Sequence, residues 1–428
     1  MDKPTACVVN LGCRVNRVES DRIASDLAGC GFHLVEEDRA ELIVINTCAV
    51  TGEAEAKTRK AVRHALSRVC EPQVIVTGCA VNLHAEQLTA LSERVVAEPL
   101  KTRVAACAQR LFSSALADDD ADDACPWRAA GPSRSRMGIK IQDGCNNRCS
   151  YCIVWKARGP ERSEGVDEVL AQVRAAHDAG IAEVVLTGVN LGAYRGLDGL
   201  GHSVDIAGLL DAILERTDIA HVRLSSIEPM DVSDGLLGRM AASPERVAPF
   251  LHLPVQSGCT STLQRMNRPY TASEFERLAD RIRSIVPAAS LSGDLIVGFP
   301  GEDDEEFEST RSFVERVGFS RLHVFRYSAR PGTPAATMPD QVEPEVMAQR
   351  SSCIRALVER TAREDAAARI GTVERAVIEY PGRATLGSFH RIVIDDAPDG
   401  AVGSLVEVAI MYMDEQGVLH GRMGAQDA

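Results

Sequence analysis

Gly144-Cys145-Asn146-Asn147-Arg148-Cys149-Ser150-Tyr151-Cys152-Ile153 is the stretch on which the reading of this sequence turns. It places three cysteines at Cys-x3-Cys-x2-Cys spacing directly after an apolar, strand-like run at 138–141. Three thiolates on one short loop can hold three irons of a [4Fe-4S] cluster, which normally takes four, so one iron is left open to another ligand. A zinc site would call for four ligands in two paired sets, and no partner pair lies nearby.

Working outward, strand-like runs at 138–141, 183–186, 221–224, 250–253, 291–297 and 321–325 alternate with helical stretches near 166–179, 206–216, 233–240, 273–286 and 305–317. Six βα units predict a partial (β/α)6 barrel. With the helical segment carrying Glu345, Arg350, Arg355 and Glu359, this domain spans 136–370. Residues 1–112 predict a smaller parallel α/β sheet, with strands at 6–11, 42–45 and 74–76 and helices over 16–29 and 53–69. Asn16 is expected to cap the first helix, and Val18, Ile23 and Leu27 to share one face of it. Cys13, Cys48 and Cys79 each stand just beyond a strand, at the edge where open α/β sheets place their ligands. Residues 113–135, with Asp118-Asp119-Asp120, Pro126 and Pro132, read as an exposed linker. Residues 371–428 are strand-like, with turns at Pro381-Gly382 and Asp399-Gly400, and predict a small β-barrel. The fold class is therefore α/β with a β-barrel tail.

Composition bounds the function. The 428 residues are 45% hydrophobic, enough for a substantial core. Lys and Arg number 47 against 61 Asp and Glu, a net charge of −14, which excludes a wholly basic nucleic-acid coat protein but not a local basic patch. No run reaches the ~18 apolar residues of a membrane helix, and the first residues are wrongly flanked for a signal peptide, so a cytoplasmic protein without membrane contact is expected. Its 13 cysteines, an odd number in a long chain, do not suggest a disulfide framework. Cys7, Cys30, Cys70, Cys107, Cys125, Cys259 and Cys353 read as small buried or surface thiols. Two stretches are locally basic: 134–163, and 57–68, where Lys57, Arg59, Lys60, Arg63 and Arg68 meet no acid. Arg59 and Arg63 fall one turn apart on a helix, a rim that can steer a phosphate backbone.

The 144–153 loop resembles the cluster motif of radical S-adenosylmethionine enzymes. The blocks Leu11-Gly12-Cys13-Arg14-Val15-Asn16, Asn46-Thr47-Cys48-Ala49-Val50-Thr51 and Thr77-Gly78-Cys79-Ala80 resemble the three N-terminal cysteine blocks of the methylthiotransferase family. Thr187-Gly188-Val189-Asn190, 223–229, 252–258, 266–270, 293–301 and 327–333 are similar to further family blocks, and the tail from Gly371 resembles an RNA-binding TRAM domain. The tail carries four arginines against nine carboxylates, an unusual balance for an RNA-binding module.

The resemblance implies two [4Fe-4S] clusters, one on Cys13, Cys48 and Cys79 and one on Cys145, Cys149 and Cys152. It implies S-adenosylmethionine bound near Tyr151, Thr187, Gly188, Asn190, Glu228 and Gly298, and a reducing electron donor. The first two blocks look like the MtaB-type branch, whose substrate is N6-threonylcarbamoyladenosine at position 37 of the tRNA anticodon loop. That substrate implies a cation for its carboxylate, since a buried unpaired charge is costly; Arg158 is the first candidate and Arg268 the second. The alternatives are a MiaB-type enzyme acting on isopentenyladenosine in tRNA, a RimO-type enzyme acting on a ribosomal-protein aspartate, and a non-catalytic electron carrier.

Overall fold

The computed structural model describes residues 3–113, 116, 135–398 and 400–424. The expected linker lies almost wholly outside the described residues, as do Cys125, Arg134 and Asp399. The chain forms two compact units. The first contains the N-terminal residues together with 144–147 and 152–160; the second contains most of the remainder to the C-terminus.

The first unit is a five-stranded parallel sheet. Its elements are β1 (Thr5–Asn10), α1 (Arg14–Gly29), β2 (His33–Leu34), β3 (Leu42–Thr47), α2 (Gly52–Leu66), β4 (Gln73–Gly78), α3 (Cys79–Thr89), β5 (Val95–Ala97) and α4 (Val104–Leu111). The strand order is β2-β1-β3-β4-β5. Every residue of β3 is buried, which explains its unbroken apolar run: a central parallel strand is covered on both faces. In this order the winding reverses between β1 and β3, and the cleft beyond the carboxyl ends of those strands is the usual ligand site of such sheets.

Ile23 and Leu27 of α1 are buried with Ala6, Leu42 and Val44, while Val18 is half-buried. The expectation for Asn16 is corrected. Cys13 holds the N-cap position, with extended backbone, and Asn16 is buried inside the helix. Its Nδ2 donates to the Thr47 carbonyl at 2.8 Å, so the side chain ties α1 to the end of β3 instead of capping its own helix. Thr51 caps the next helix, its hydroxyl accepting from the Ala54 N–H.

The second unit continues with β6 (Arg136–Lys140) and β7 (Gln142–Asp143); α5 (Val154–Arg158) belongs to the first unit. Then follow β8 (Arg162–Ser163), α6 (Val166–Asp178), β9 (Glu183–Thr187), β10 (Gly196–Leu197), β11 (Ser203–Val204), α7 (Ile206–Arg216), β12 (His221–Leu224), α8 (Asp234–Ala242) and β13 (Phe250–His252). The row ends with α9 (Thr260–Arg265), α10 (Ala272–Ile285), β14 (Ser290–Val297), α11 (Asp304–Val317), β15 (Arg321–Arg326) and α12 (Pro344–Ala367). The ladders β12-β9-β6 and β13-β14-β15 are parallel, and a bridge between Ser226 and His252 joins them into one six-stranded row. Alternate strand residues such as Val184, Leu186, Val222, Leu224, Leu291 and Leu295 pack against the helices. Each contributes about 1.5–3 kcal/mol by leaving water.

Strands β16 (Val373–Tyr380), β17 (Arg383–Leu386), β18 (Arg391–Ile394), β19 (Leu405–Met413) and β20 (Leu419–Met423) close the expected barrel, in the order β16-β17-β18-β20-β19. Its turn after β17 carries Phe389 at φ 73°, a backbone region that bulky residues rarely adopt. The surroundings hold it there. The Phe389 ring lies 4.7 Å from the Phe250 ring, and the guanidinium carbons of Arg136, Arg223 and Arg321 stand 5.7, 5.1 and 5.4 Å from its centroid. These residues come from β6, β12, β13 and β15, so Phe389 closes the floor of the (β/α)6 row at the starts of its strands.

Candidate cluster and cofactor sites

In the first unit Cys48 and Cys79 follow β3 and β4 directly, and Cys13 follows β1 after Leu11 and Gly12, all at the carboxyl edge of the sheet. Cys48 and Cys79 are buried and Cys13 is exposed. Gly78, at φ 96°, makes the third position possible: a Cβ there would lie 2.6 Å from the Thr47 carbonyl oxygen. Burial pushes the Cys48 thiol up; the Val50 N–H and the Arg158 guanidinium pull it down, while Cys13 and Cys79 add to the upward push. Cys13 and Cys79 thus both lie within electrostatic reach of Cys48.

Beside them, among the described residues, Asn46 Oδ1 and Thr77 Oγ1 are buried without a hydrogen-bond partner, the mark of a polar site that a bound group completes. No three His, Cys, Asp or Glu side chains among the described residues are gathered as a single metal ion would need. A four-iron cluster takes one thiolate per iron and so spreads its ligands more widely. The donor set, an all-thiol triad, fits such a cluster.

Cys145 and Cys152 also belong to the first unit. Gly144, at φ 70°, opens their loop, and a Cβ on it would fall on the Pro160 carbonyl oxygen. The Cys145 N–H donates to the Gly159 carbonyl at 3.2 Å, and the Val154 N–H donates to Cys152 Sγ at 3.4 Å. The last residue of α5, Arg158, is predicted from sequence to meet the substrate carboxylate. Its side chain is almost fully buried, with Nη1 and Nη2 on Glu19 at 3.0 and 3.2 Å and Nη2 also on Asn16 Oδ1. Lys101 shares Glu19, and the Asn82 amide holds the Ala157 carbonyl at 2.7 Å. Sequence reading missed Glu19, Lys101 and Asn82, because isolated polar residues on helices and loops carry no pattern that separates them from solvated ones.

In the second unit the predicted S-adenosylmethionine residues gather at the carboxyl ends of the barrel strands. Gln142 Oε1 accepts from the Val189 and Asn190 N–H groups at 2.9 and 3.0 Å. A Cβ on Gly188 would meet the Gln142 side chain at 2.9 Å, and the Thr187 hydroxyl donates to the Ile139 carbonyl. Asn190 Oδ1 accepts from the Glu228 N–H, and its Nδ2 donates to Asp231 at 2.7 Å. Tyr151 packs on the small apolar cluster of Met266, Phe299, Tyr327 and Ala335.

Gly298, at φ 73°, faces Met347, whose Cγ would be 2.1 Å from a Cβ there, and its N–H donates to Glu302. Its missing side chain therefore makes room for α12. Arg268, the second candidate for the substrate carboxylate, is buried. It forms an ion pair with Glu228, donates to the Pro254 carbonyl at 3.1 Å and to Tyr270 Oη, and donates from Nη1 to Cys149 Sγ at 3.3 Å. Burial pushes the Glu228 carboxyl up, against the pull of Arg268. An N–H donor on a cysteine sulfur stabilises its thiolate form, and this contact ties Arg268 to the 144–153 loop.

On α2, Arg59, Lys60 and Arg63 are exposed, and among the described residues none makes an ion pair. Lys57 is paired with Glu53 at 2.8 Å and Arg68 with Glu37 at 3.1 Å. The free cationic face of this helix is thus Arg59, Lys60 and Arg63.

A six-stranded parallel (β/α) row led by a three-cysteine loop, with buried polar groups at the strand ends, is the architecture of a radical S-adenosylmethionine enzyme, and residues 139–314 match the Radical SAM superfamily. Residues 5–97 match a family described as "Uncharacterized protein family UPF0004". Threonylcarbamoyladenosine tRNA methylthiotransferase MtaB of Chlamydia pneumoniae is 33% identical over 427 residues, covering 97% of this chain and 98% of its own. The tRNA-2-methylthio-N(6)-dimethylallyladenosine synthase of Zymomonas mobilis is 31% identical, covering 94% of this chain and 93% of its own. Among solved structures, the radical S-adenosylmethionine methyltransferase TsrM from Kitasatospora setae shares the fold, with a TM-score of 0.55 at 14% identity over 78% of this chain and 77% of that one.

The chain belongs to the radical S-adenosylmethionine tRNA methylthiotransferase family. It is a transferase that uses two [4Fe-4S] clusters and S-adenosylmethionine. Among the described residues, no helix is long and apolar enough to cross a membrane.

Proposed function

We propose that this enzyme converts N6-threonylcarbamoyladenosine at position 37 of the tRNA anticodon loop to its 2-methylthio derivative, in the cytoplasm and with an external reductant. One observation carries the reading: the Leu-Gly-Cys-Arg-Val-Asn and Asn-Thr-Cys-Ala-Val-Thr blocks are built into the first cysteine site. Asn16, the last residue of the first block, bonds Thr47 of the second, and the Asn46 amide donates to the Asn16 carbonyl at 2.8 Å. A full-length relative of 33% identity bearing the threonylcarbamoyladenosine name supports the same branch.

Cys13, Cys48 and Cys79 would hold one cluster and Cys145, Cys149 and Cys152 the other. When bound, these groups supply one-electron cleavage of S-adenosylmethionine and a seat for the transferred sulfur, chemistry that an unactivated adenine C2–H requires. The chain orients them. Arg268 holds Cys149 through its sulfur and Glu228 through its carboxylate, and Gln142 fixes the Val189–Asn190 turn beside them.

The substrate assignment is tested with three tRNAs, carrying unmodified, isopentenylated or threonylcarbamoylated adenosine 37. Only the last should gain a methylthio group on nucleoside analysis; equal turnover of the three overturns the branch.

Arg59 and Arg63 are proposed to contact tRNA phosphates. Arg59→Ala with Arg63→Ala should weaken tRNA binding and reduce the slope of log affinity against log salt by roughly one per lost contact. An unchanged slope would return α2 to the role of a solvated helix face.

A further inference from the structure

Phe389 marks the floor of the (β/α)6 row, and the register of the strands shows what stands above it. Arg321 of β15 reaches the Phe389 ring, so Arg321 faces the lumen, and with the period of two so do His323 and Phe325. Across the parallel ladder these are level with Ser292, Asp294 and Ile296 of β14. From β13, His252 closes the same face, with Nδ1 3.0 Å from Ser292 Oγ and Nε2 3.3 Å from Asp294 Oδ2, and its ring lies 6.0 Å from that of His323. Above them Asp294 is within electrostatic reach of Glu228, the partner of Arg268, which in turn holds Cys149. The lumen is thus one wall, running from the Phe389 floor up to the cluster loop.

Two features of that wall concern a ligand. Phe325 is 45% exposed although it faces inward from the last strand of the row. Ser225, two residues beyond lumen-facing Arg223, has its hydroxyl buried with no partner among the described residues. An open aromatic face suits a splayed-out nucleobase, which RNA-modifying proteins commonly seat by stacking. The imidazoles and hydroxyls of that wall suit a polar substituent and disfavour an apolar one, which would leave them unpaired, while the Asp294 carboxylate, which would repel an anionic substituent, is engaged by His252 Nε2 at 3.3 Å.

We infer that Phe325 is the stacking platform for the target adenine and that His323, beside the His252–Asp294 pair, reads its polar N6 substituent. The inference deepens the proposed function and rests on it for the identity of that substituent.

The test uses the full-length reconstituted enzyme and anticodon stem-loop RNAs carrying threonylcarbamoyl, isopentenyl or unmodified adenosine, with affinity measured by fluorescence anisotropy. Phe325→Ala should weaken all three RNAs about tenfold, as loss of one base stack does, and Phe325→Tyr should bind as wild type. His323→Leu should erase most of the preference for threonylcarbamoyl over isopentenyl RNA, and His323→Gln should restore part of it. Iron content and melting temperature equal to wild type establish that each variant is folded and loaded. Wild-type affinity and preference in both Phe325→Ala and His323→Leu would overturn the inference and leave the proposed function standing. A wild-type enzyme without preference, still weakened by Phe325→Ala, would keep the stacking platform and overturn the substrate assignment.

Discussion

Anaerobically reconstituted enzyme should carry about eight irons per chain, and the variant with Cys13, Cys48 and Cys79 all replaced by alanine about four. The triad variant should still release 5′-deoxyadenosine from S-adenosylmethionine, yet form no methylthio product. The physical ground is the separation of the two ligand sets by element. The triad stands at the ends of β1, β3 and β4, whereas the second set sits on the 144–153 loop. Cysteine to alanine removes one sulfur, so β3, whose residues are buried by other contacts, should keep its place. Circular dichroism indistinguishable from wild type would confirm that only the ligand set is lost. A triad variant that retains all its iron would show that these cysteines hold no cluster.

The largest expected loss of stability comes from Glu183→Ala. Glu183 is fully buried on β9 and accepts from Arg223 Nε and Nη2 at 2.9 and 3.0 Å and from His221 Nδ1 at 2.6 Å. Arg223 also donates to the carbonyls of Leu386 and Gly387 at 3.1 and 2.7 Å, which ties the tail barrel to the floor. Removing the carboxylate leaves a guanidinium buried without its counter-charge, at a cost of about 3–5 kcal/mol, read as a lower urea midpoint at neutral pH.

The pH dependence has a definite sign. Burial alone would raise the Glu183 carboxyl, but Arg223 and His221 hold it well below the usual carboxylate range. Its contribution is therefore fully present above the unfolded value of about 4.3, and it is lost as the pH falls from there through the lower folded value. Wild type and Glu183→Ala should accordingly converge in stability on acidification below that point. A gap that is unchanged in acid would mean the loss came from the cavity and not from the charge.

The contact between Arg223 and the tail also changes what a truncation can report. Removing residues from Gly371 onward would uncover Phe250 and leave Arg136, Arg223 and Arg321 without the Phe389 ring they surround. Such a deletion tests the floor of the (β/α)6 row as much as any grip on RNA. One carboxylate of the tail shares this role: Glu379 of β16 pairs with Arg136 at the floor.

The alternation of strands and helices, the placement of Cys13, Cys48 and Cys79 just beyond three strands, and the closed tail barrel were all legible in the sequence. The reason is local: period-two and period-3.6 patterns, and cysteines a fixed few residues beyond a strand, are properties of neighbouring residues. The same locality explains the misreadings. Asn16 has the composition of a cap, but the chain from β3 brings the Thr47 carbonyl to it, and Cys13 takes the cap position. Arg158, in a basic stretch, and Arg268, after the Met266-Asn267 pair, look like free cations until Glu19 and Glu228, each far away in sequence, pair with them. Gly298 reads as a glycine that admits a ligand, and α12 fills the space with Met347. Phe325 and His323 carry no motif at all; only strand register, with Phe389 arriving from the tail, turns them toward one lumen. Partners of buried charges and the direction of a side chain on a barrel strand are set by long-range packing, so they emerge only when distant segments of the chain meet.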